Sequence, residues 1–178
     1  MEDKLLIWKF RRGHPDGLRR IYDKYHGHLL KLAVVLTGNA EAAEDVVQEV
    51  FVNFARSADR FGLAGSLRSY LITSTLNCVR NQRRDNRRLH SLDKVERIPS
   101  TARRPDQWAV LSESLERLGC AMASLPYEQR EAVTLRMEAN MTFHQIARLQ
   151  KTSISTVNAR YRYGIERLRS LLNGEVTV

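Results

Sequence analysis

Thr142-Phe143-His144-Gln145-Ile146-Ala147-Arg148-Leu149-Gln150-Lys151-Thr152-Ser153-Ile154-Ser155-Thr156-Val157-Asn158-Ala159-Arg160-Tyr161-Arg162-Tyr163-Gly164-Ile165-Glu166-Arg167-Leu168 is the most informative stretch of this chain. Thr142 followed three residues later by Gln145 makes a capping box, with a hydroxyl at the cap and an amide to answer it. The spacing predicts a short helix ending near Gln150. After Lys151-Thr152 a second cap, Ser153, opens a last helix reaching Leu172. Two capped helices separated by so brief a turn predict a helix-turn-helix. With Val157 as origin, Tyr161, Gly164, Ile165, Leu168, Leu171 and Leu172 fall in one inward arc, whereas Ala159, Arg162, Tyr163 and Glu166 lie opposite. Asn158, Arg160 and Arg167 flank the seam. Ser155, Thr156, Asn158, Arg160 and Arg162 give the helix N-terminus amide and guanidinium donors suited to base edges in a major groove. Hydroxyls, further arginines and tyrosine suit phosphates. By periodicity alone, a solvated amphipathic helix fits equally well.

Outward from this stretch, a helix is expected from about Trp108 to Ala123, stopped by Leu125-Pro126, with Pro126 suited to the first turn of a helix ending near Ala139. Residues 89–107 lose sustained periodicity and contain Pro99 and Pro105, so they read as an exposed, flexible tether. The expected organisation is therefore all-α: a helical domain over 1–88, a linker over 89–107, and a second helical domain over 108–178 carrying the helix-turn-helix.

In the first domain, helical spacing over Leu18–Leu36 ends at Thr37-Gly38-Asn39, where glycine suits a left-handed closing residue. The helix beginning near Asn39 has an inward stripe of Val47, Val50, Phe51 and Phe54, while Asp45, Gln48, Glu49 and Val52 project to the other side. The segment Gly62-Leu63-Ala64-Gly65-Ser66 resists helix formation, and Ser66 is the expected cap of a long helix through Arg84. Arg80 to Arg88 hold five arginines against one aspartate, Asp85. Phosphate neutralisation would explain that crowding, but so would a basic helix C-terminus opposing the macrodipole. Phe61 and Tyr70 could stack on unpaired bases beside this helix, although such aromatics are more often core.

The 178 residues are 43% hydrophobic and 28% charged, the profile of a globular protein, with no apolar run approaching a membrane span. No signal-peptide core precedes Lys9, Arg11 and Arg12, so a cytoplasmic location is expected. Twenty-nine basic against twenty acidic residues give a net charge of +9, of which the segment 1–88 carries +6. Such a balance favours a polyanionic partner without identifying one. Cys78 and Cys120 read as reduced thiols. His26 and His28, two apart, diverge on a helix, and no metal site or cofactor motif emerges. Nor does a catalytic constellation: serines lack a His–Asp partner, no phosphate-cradling glycine loop appears, and Glu44-Asp45 are adjacent and diverge.

Two separated motifs now meet. Ala43-Glu44-Asp45-Val46-Val47-Gln48-Glu49-Val50-Phe51 with Asn77 and Arg83-Arg84, and Leu125-Pro126, Gln129-Arg130-Glu131, Ile146-Ala147, Ser153, Thr156-Val157 and Arg160, together resemble extracytoplasmic-function sigma factors. These are the two-domain promoter-recognition subunits of bacterial RNA polymerase, and the resemblance spans about residues 15–172. It implies that Asp45, Gln48, Glu49 and Val52 dock on core polymerase. It implies that Gly62, Leu63, Ala64, Gly65, Ser66, Tyr70, Asn77, Arg80, Arg83 and Arg84 separate and hold the melted −10 element. The final helix would read the duplex −35 element through Ser155, Thr156, Asn158, Ala159, Arg160, Arg162 and Tyr163. An anti-sigma protein is a further implied partner; no catalytic residue, cofactor or metal is implied.

The sequence also departs from that pattern. Lys151 and Thr152 stand where relatives usually have glycine and an aliphatic residue, which predicts an altered turn. Tyr70 replaces a more usual tryptophan, and Ala64 a small acidic or polar residue. The competing readings are a stand-alone regulator binding palindromic operators and, with no residues to support it, a nucleic-acid-processing enzyme.

Overall fold

The structure, a computed structural model, describes residues 2–57, 66–90 and 113–173, and its regular elements there are all helices. The chain divides into two compact units, Met1–Arg97 and Ile98–Val178. All but the first two residues of the expected tether 89–107 fall outside the described residues.

The first unit is built on α1 (Glu2–Arg11), α2 (Pro15–Thr37), α3 (Ala40–Arg56) and α4 (Leu67–His90), with α2 packed against the other three. Gly38 closes α2 at φ 72°, its N–H donating to the Val34 carbonyl at 2.8 Å. Glycine enters that left-handed conformation without the Cβ clash other residues meet. Asn39 then caps α3, its side chain accepting from the Ala42 N–H at 3.1 Å. The expected inward stripe of α3, Val47, Val50, Phe51 and Phe54, is buried, and Ala43 and Val46 widen it. From α4 come Leu67, Leu71, Ile72, Leu76 and Val79; the buried Thr75 hydroxyl is satisfied by donating to the Leu71 carbonyl at 2.9 Å. Phe54 sits at the centre, stacked on Phe10 at 4.6 Å and tilted against Tyr70 at 6.0 Å between ring centroids. Truncating such a side chain typically costs about 3–5 kcal/mol.

Two features of this unit differ from the sequence expectation. Helix α1 was not anticipated, because ten residues give too little periodicity and its order is tertiary in origin. Leu6, Ile7 and Phe10 bury themselves, while Lys24 donates to Glu2 at 2.7 Å and to Asp3 at 2.8 Å, and the Tyr25 hydroxyl donates to Asp3 at 2.7 Å. Burial works against the Asp3 carboxylate, but the hydrogen bonds from Lys24 and Tyr25 prevail and hold its pKa below the usual value. Burial, then the bond to Asp3, pushes the Tyr25 phenol up to about 12. Helix α4, for its part, runs to His90 rather than ending at Arg84. Nothing between Asp85 and His90 breaks a helix, and the polar run there had concealed its continuation.

The second unit comprises α5 (Glu113–Ala123), α6 (Tyr127–Met137), α7 (Phe143–Gln150) and α8 (Ile154–Asn173). The expected start of its first helix at Trp108 lies outside the described residues. Pro126 stands just before α6, not inside its first turn, and its carbonyl accepts from the Gln129 and Arg130 N–H groups at 3.0 and 2.9 Å. Helix α6 stops at Met137, two residues before the expected Ala139. Asn140 reverses the chain at φ 53°, and the Met141 N–H returns to the Leu135 carbonyl at 3.0 Å. Of the predicted inward arc of α8, Val157, Gly164 and Leu168 are buried, whereas Tyr161, Ile165, Leu171 and Leu172 are half-buried at the edge of a small core. Gly164 allows the close approach of α8 to α6: a Cβ there would lie 2.8 Å from Val133 Cγ2.

The turn between α7 and α8 follows the sequence closely. Thr142 Oγ1 accepts from the Gln145 N–H at 3.2 Å, and Gln145 Oε1 accepts from the Thr142 N–H at 2.8 Å. Ser153 Oγ accepts from the Thr156 N–H at 3.1 Å and caps α8. Lys151 takes the left-handed conformation, φ 51° and ψ 47°, that a glycine would occupy more readily. The turn therefore closes through a left-handed lysine, which carries strain that a glycine would avoid. Lys151→Gly should accordingly stabilise the protein by about 0.5–1 kcal/mol in denaturant titrations; an unchanged or lowered midpoint would contradict the strain. Gly164→Ala should cost about 1–3 kcal/mol, and adding Val133→Ala should recover part of that loss. Strictly additive losses would show that the two positions do not meet.

Candidate nucleic-acid interface

Helix α8 presents Ser155, Asn158, Arg162 and Tyr163 to solvent at its N-terminal half, with Thr156 and Ala159 half-buried beside them. The Ser153 hydroxyl lies 2.7 Å from that of Ser155 and 2.8 Å from that of Thr156, which gathers three hydroxyls at the positive end of the helix dipole. The Arg162 guanidinium rests 5.1 Å from the centre of the Tyr163 ring, a cation–π contact that limits its wandering while leaving its donors exposed. Together these groups can donate to base edges or phosphates.

Arg160 is not free to join them in the expected way. It is half-buried at the rim beside α7, and its Nη1 donates to Gln150 Oε1 at 2.7 Å. Gln150 in turn donates from Nε2 to the Glu128 carbonyl at 3.2 Å and to Glu131 Oε2 at 2.9 Å. The Tyr127 hydroxyl donates to Glu131 Oε1 at 3.0 Å, and Glu131 is only 2% exposed. Sequence reading missed Gln150 and the structural part played by Glu131. The available signal was a glutamate four residues before Leu135, in register with the buried stripe of α6.

On α4, Tyr70, Asn77, Arg80 and Arg84 recur at a spacing that returns them to one helix face. Asn77 and Arg84 are exposed, while Tyr70 and Arg80 are half-buried. Tyr70 is partly occupied by its contact with Phe54. Arg83 is turned about 100° from Arg84 and is half-buried, so it does not share that face. Ser66 caps α4 as expected, accepting from the Ser69 N–H at 3.1 Å. Gly62, Leu63, Ala64 and Gly65, with Phe61, lie outside the described residues.

Asp45, Gln48, Glu49 and Val52 form an exposed stripe along α3, with Val52 at 40% exposure an apolar member of an otherwise polar row. Glu49 has a second contact, because its carboxylate meets Cys78 of α4. Burial, then that carboxylate, pushes the Cys78 thiol up to about 11, so it stays protonated at neutral pH. Cys78 is buried and Cys120 exposed, and neither is bridged. Among the described residues no cluster of His, Cys, Asp and Glu could hold a metal ion, and no helix is long and apolar enough to cross a membrane.

Comparison with known proteins places these surfaces in a family. The pattern described as Sigma-70 region 2 matches residues 21–89, and that of Sigma-70 region 4 matches residues 115–168. The chain is 28% identical over 144 residues to the ECF RNA polymerase sigma factor EcfG of Rhodopseudomonas palustris, covering 81% of this chain and 78% of that protein. It is 27% identical to the RNA polymerase sigma factor CarQ of Myxococcus xanthus, covering 92% and 94% of the two chains. Among solved structures, the sigma factor RpoE from Bartonella quintana, crystallised with the anti-sigma factor NepR, superposes with a TM-score of 0.73 at 25% identity. That match covers 90% of this chain and 98% of the other. With both regions in order and the relatives alike along nearly their whole length, the chain belongs to the extracytoplasmic-function sigma factors, which direct RNA polymerase to begin transcription at promoters.

Proposed function

We propose that the two units divide promoter recognition between them, with residues 1–88 docking on core polymerase and holding the melted −10 element, 108–178 reading the duplex −35 element, and 89–107 tethering the two. The observation that carries this reading is the doubly capped helix-turn-helix, which offers Ser155, Asn158 and Arg162 to solvent at a helix N-terminus. In the first unit, Tyr70, Asn77, Arg80 and Arg84 supply an aromatic ring, an amide and cations along one face of α4. An extruded base gains a stacking and hydrogen-bonding partner there, which lowers the cost of opening the duplex. The loop Gly62–Gly65 and Ser66 complete that site, with Arg83 directed to the backbone. The stripe Asp45, Gln48, Glu49 and Val52 is the polymerase contact, which accounts for an acidic row on a protein of net charge +9.

The chain itself makes no covalent bond in this scheme: polymerase performs the chemistry, in the cytoplasm. An anti-sigma protein is a further proposed partner, supported by the capture of the Bartonella quintana relative in complex with one. Run-off transcription with core polymerase and a randomised promoter library tests partner, activity and specificity together.

Asp45→Lys and Val52→Asp should each weaken association with core polymerase roughly tenfold, the loss typical of a moderate interface contact, with helix content by circular dichroism unchanged. Wild-type affinity in both variants would remove α3 as the docking surface. Arg162→Ala should cost roughly 1–3 kcal/mol at one −35 base pair. Equal loss on every sequence in the library would make Arg162 a phosphate contact instead.

A further inference from the structure

Gln150 stands between a buried carboxylate and a recognition-helix arginine, and its amide has no freedom about which way round it lies. Its Nε2 faces two acceptors, Glu131 Oε2 at 2.9 Å and the Glu128 carbonyl at 3.2 Å. The backbone carbonyl has no proton to give, so only the NH2 end can occupy that side. The carbonyl end must therefore face α8, where it accepts from Arg160 Nη1 at 2.7 Å. Glu131 is itself held by the Tyr127 hydroxyl at 3.0 Å and by burial in α6. The polarity of a fixed carboxylate is thus relayed through one side-chain amide to one guanidinium, using one of the five N–H donors that arginine carries. The remaining donors belong to a half-buried side chain at the rim between α7 and α8, on a different flank of the helix from the exposed Asn158 and Arg162.

We infer that Gln150 is a positioning residue for DNA recognition: oriented by Glu131, it holds the Arg160 guanidinium in the place from which it contacts the −35 duplex. An arginine side chain carries about 2 kcal/mol of rotamer entropy. Restraining it before binding removes part of that ordering cost from the association step. The inference rests on the reading of α8 as the −35 helix, and its test separates the two.

The test is equilibrium binding of a −35 duplex by holoenzyme carrying the full chain, with thermal melting of each variant. Arg160→Ala should weaken binding roughly tenfold, and Gln150→Leu, of similar size but without hydrogen bonds, about threefold to tenfold. In the double variant Gln150→Leu/Arg160→Ala the binding should be no weaker than with Arg160→Ala alone, because Gln150 acts through that arginine. Wild-type binding by Gln150→Leu, or losses that multiply in the double variant, would overturn the positioning role. If Arg160→Ala has no effect while Asn158→Ala and Arg162→Ala weaken binding, Arg160 makes no DNA contact and the inference falls alone. If none of the three has an effect, the −35 reading falls with it.

Discussion

A carboxylate with 2% exposure is the constraint around which the second unit is organised. Glu131 lies within α6, in the stretch that also buries Ala132, Val133, Thr134 and Leu135, and a carboxyl group buried there is tolerable only when its oxygens are hydrogen-bonded. Tyr127, one turn earlier on the same helix, supplies one donor, and Gln150, at the end of α7, supplies another. The need to satisfy Glu131 therefore fixes where α7 ends relative to α6. That in turn fixes the start of α8 through a turn that must reverse at Lys151 and cap at Ser153. Gly164 completes the arrangement farther along α8, since a side chain there would push α8 off Val133. Polar satisfaction and steric fit act at two points along the same pair of helices, and two points are enough to set the direction of a recognition helix.

The first unit reaches a similar end with apolar contacts. Phe54 touches Phe10 of α1 on one side and Tyr70 of α4 on the other. The face of α4 assigned to DNA is thereby connected through one buried ring to α1, which no sequence motif singled out. Glu49 supplies a second link, because it belongs to the exposed stripe of α3 proposed to dock on polymerase and also interacts with Cys78 of α4. The helices proposed to face polymerase and DNA share a core in which movement of either would be felt by the other.

Local signals were legible in the sequence wherever the chemistry was local. Gly38, Asn39, Ser66, the Thr142–Gln145 box and Ser153 each perform the capping role their residue type and neighbours imply. The stripe Val47, Val50, Phe51 and Phe54 was equally plain because helical period and burial coincide. What could not be read depends on partners distant in sequence. Helix α1 is held by Lys24 and Tyr25, more than twenty residues away. Arg160 was grouped with the other donors of α8 because it lies in the same N-terminal half of that helix; only the structure reveals Gln150 facing it. At the turn, Lys151 stands where glycine is usual and takes the left-handed conformation, at a cost of about 1–2 kcal/mol, between two capped helices.

The C-terminal half of α4 raises a different question of balance. From Asn81 onward the sequence of this helix carries Arg83, Arg84, Arg87 and Arg88 with Asp85 the sole acid, and among the described side chains Val79 is its last buried apolar residue. Cations near a helix C-terminus are favoured by the macrodipole, by about 0.3–1 kcal/mol each when exposed, but four of them so close also repel one another. The contact between Arg84 and Asp85, 3.7 Å with both side chains about 60% exposed, offers little relief. A phosphate backbone laid along this turn would remove the repulsion while leaving the dipole interaction in place. Binding and helix stability are then linked: an anion that binds the arginines stabilises the helix that carries them. High salt would weaken both sides of that linkage, by screening the arginines from each other and by lowering the entropy recovered from released counterions.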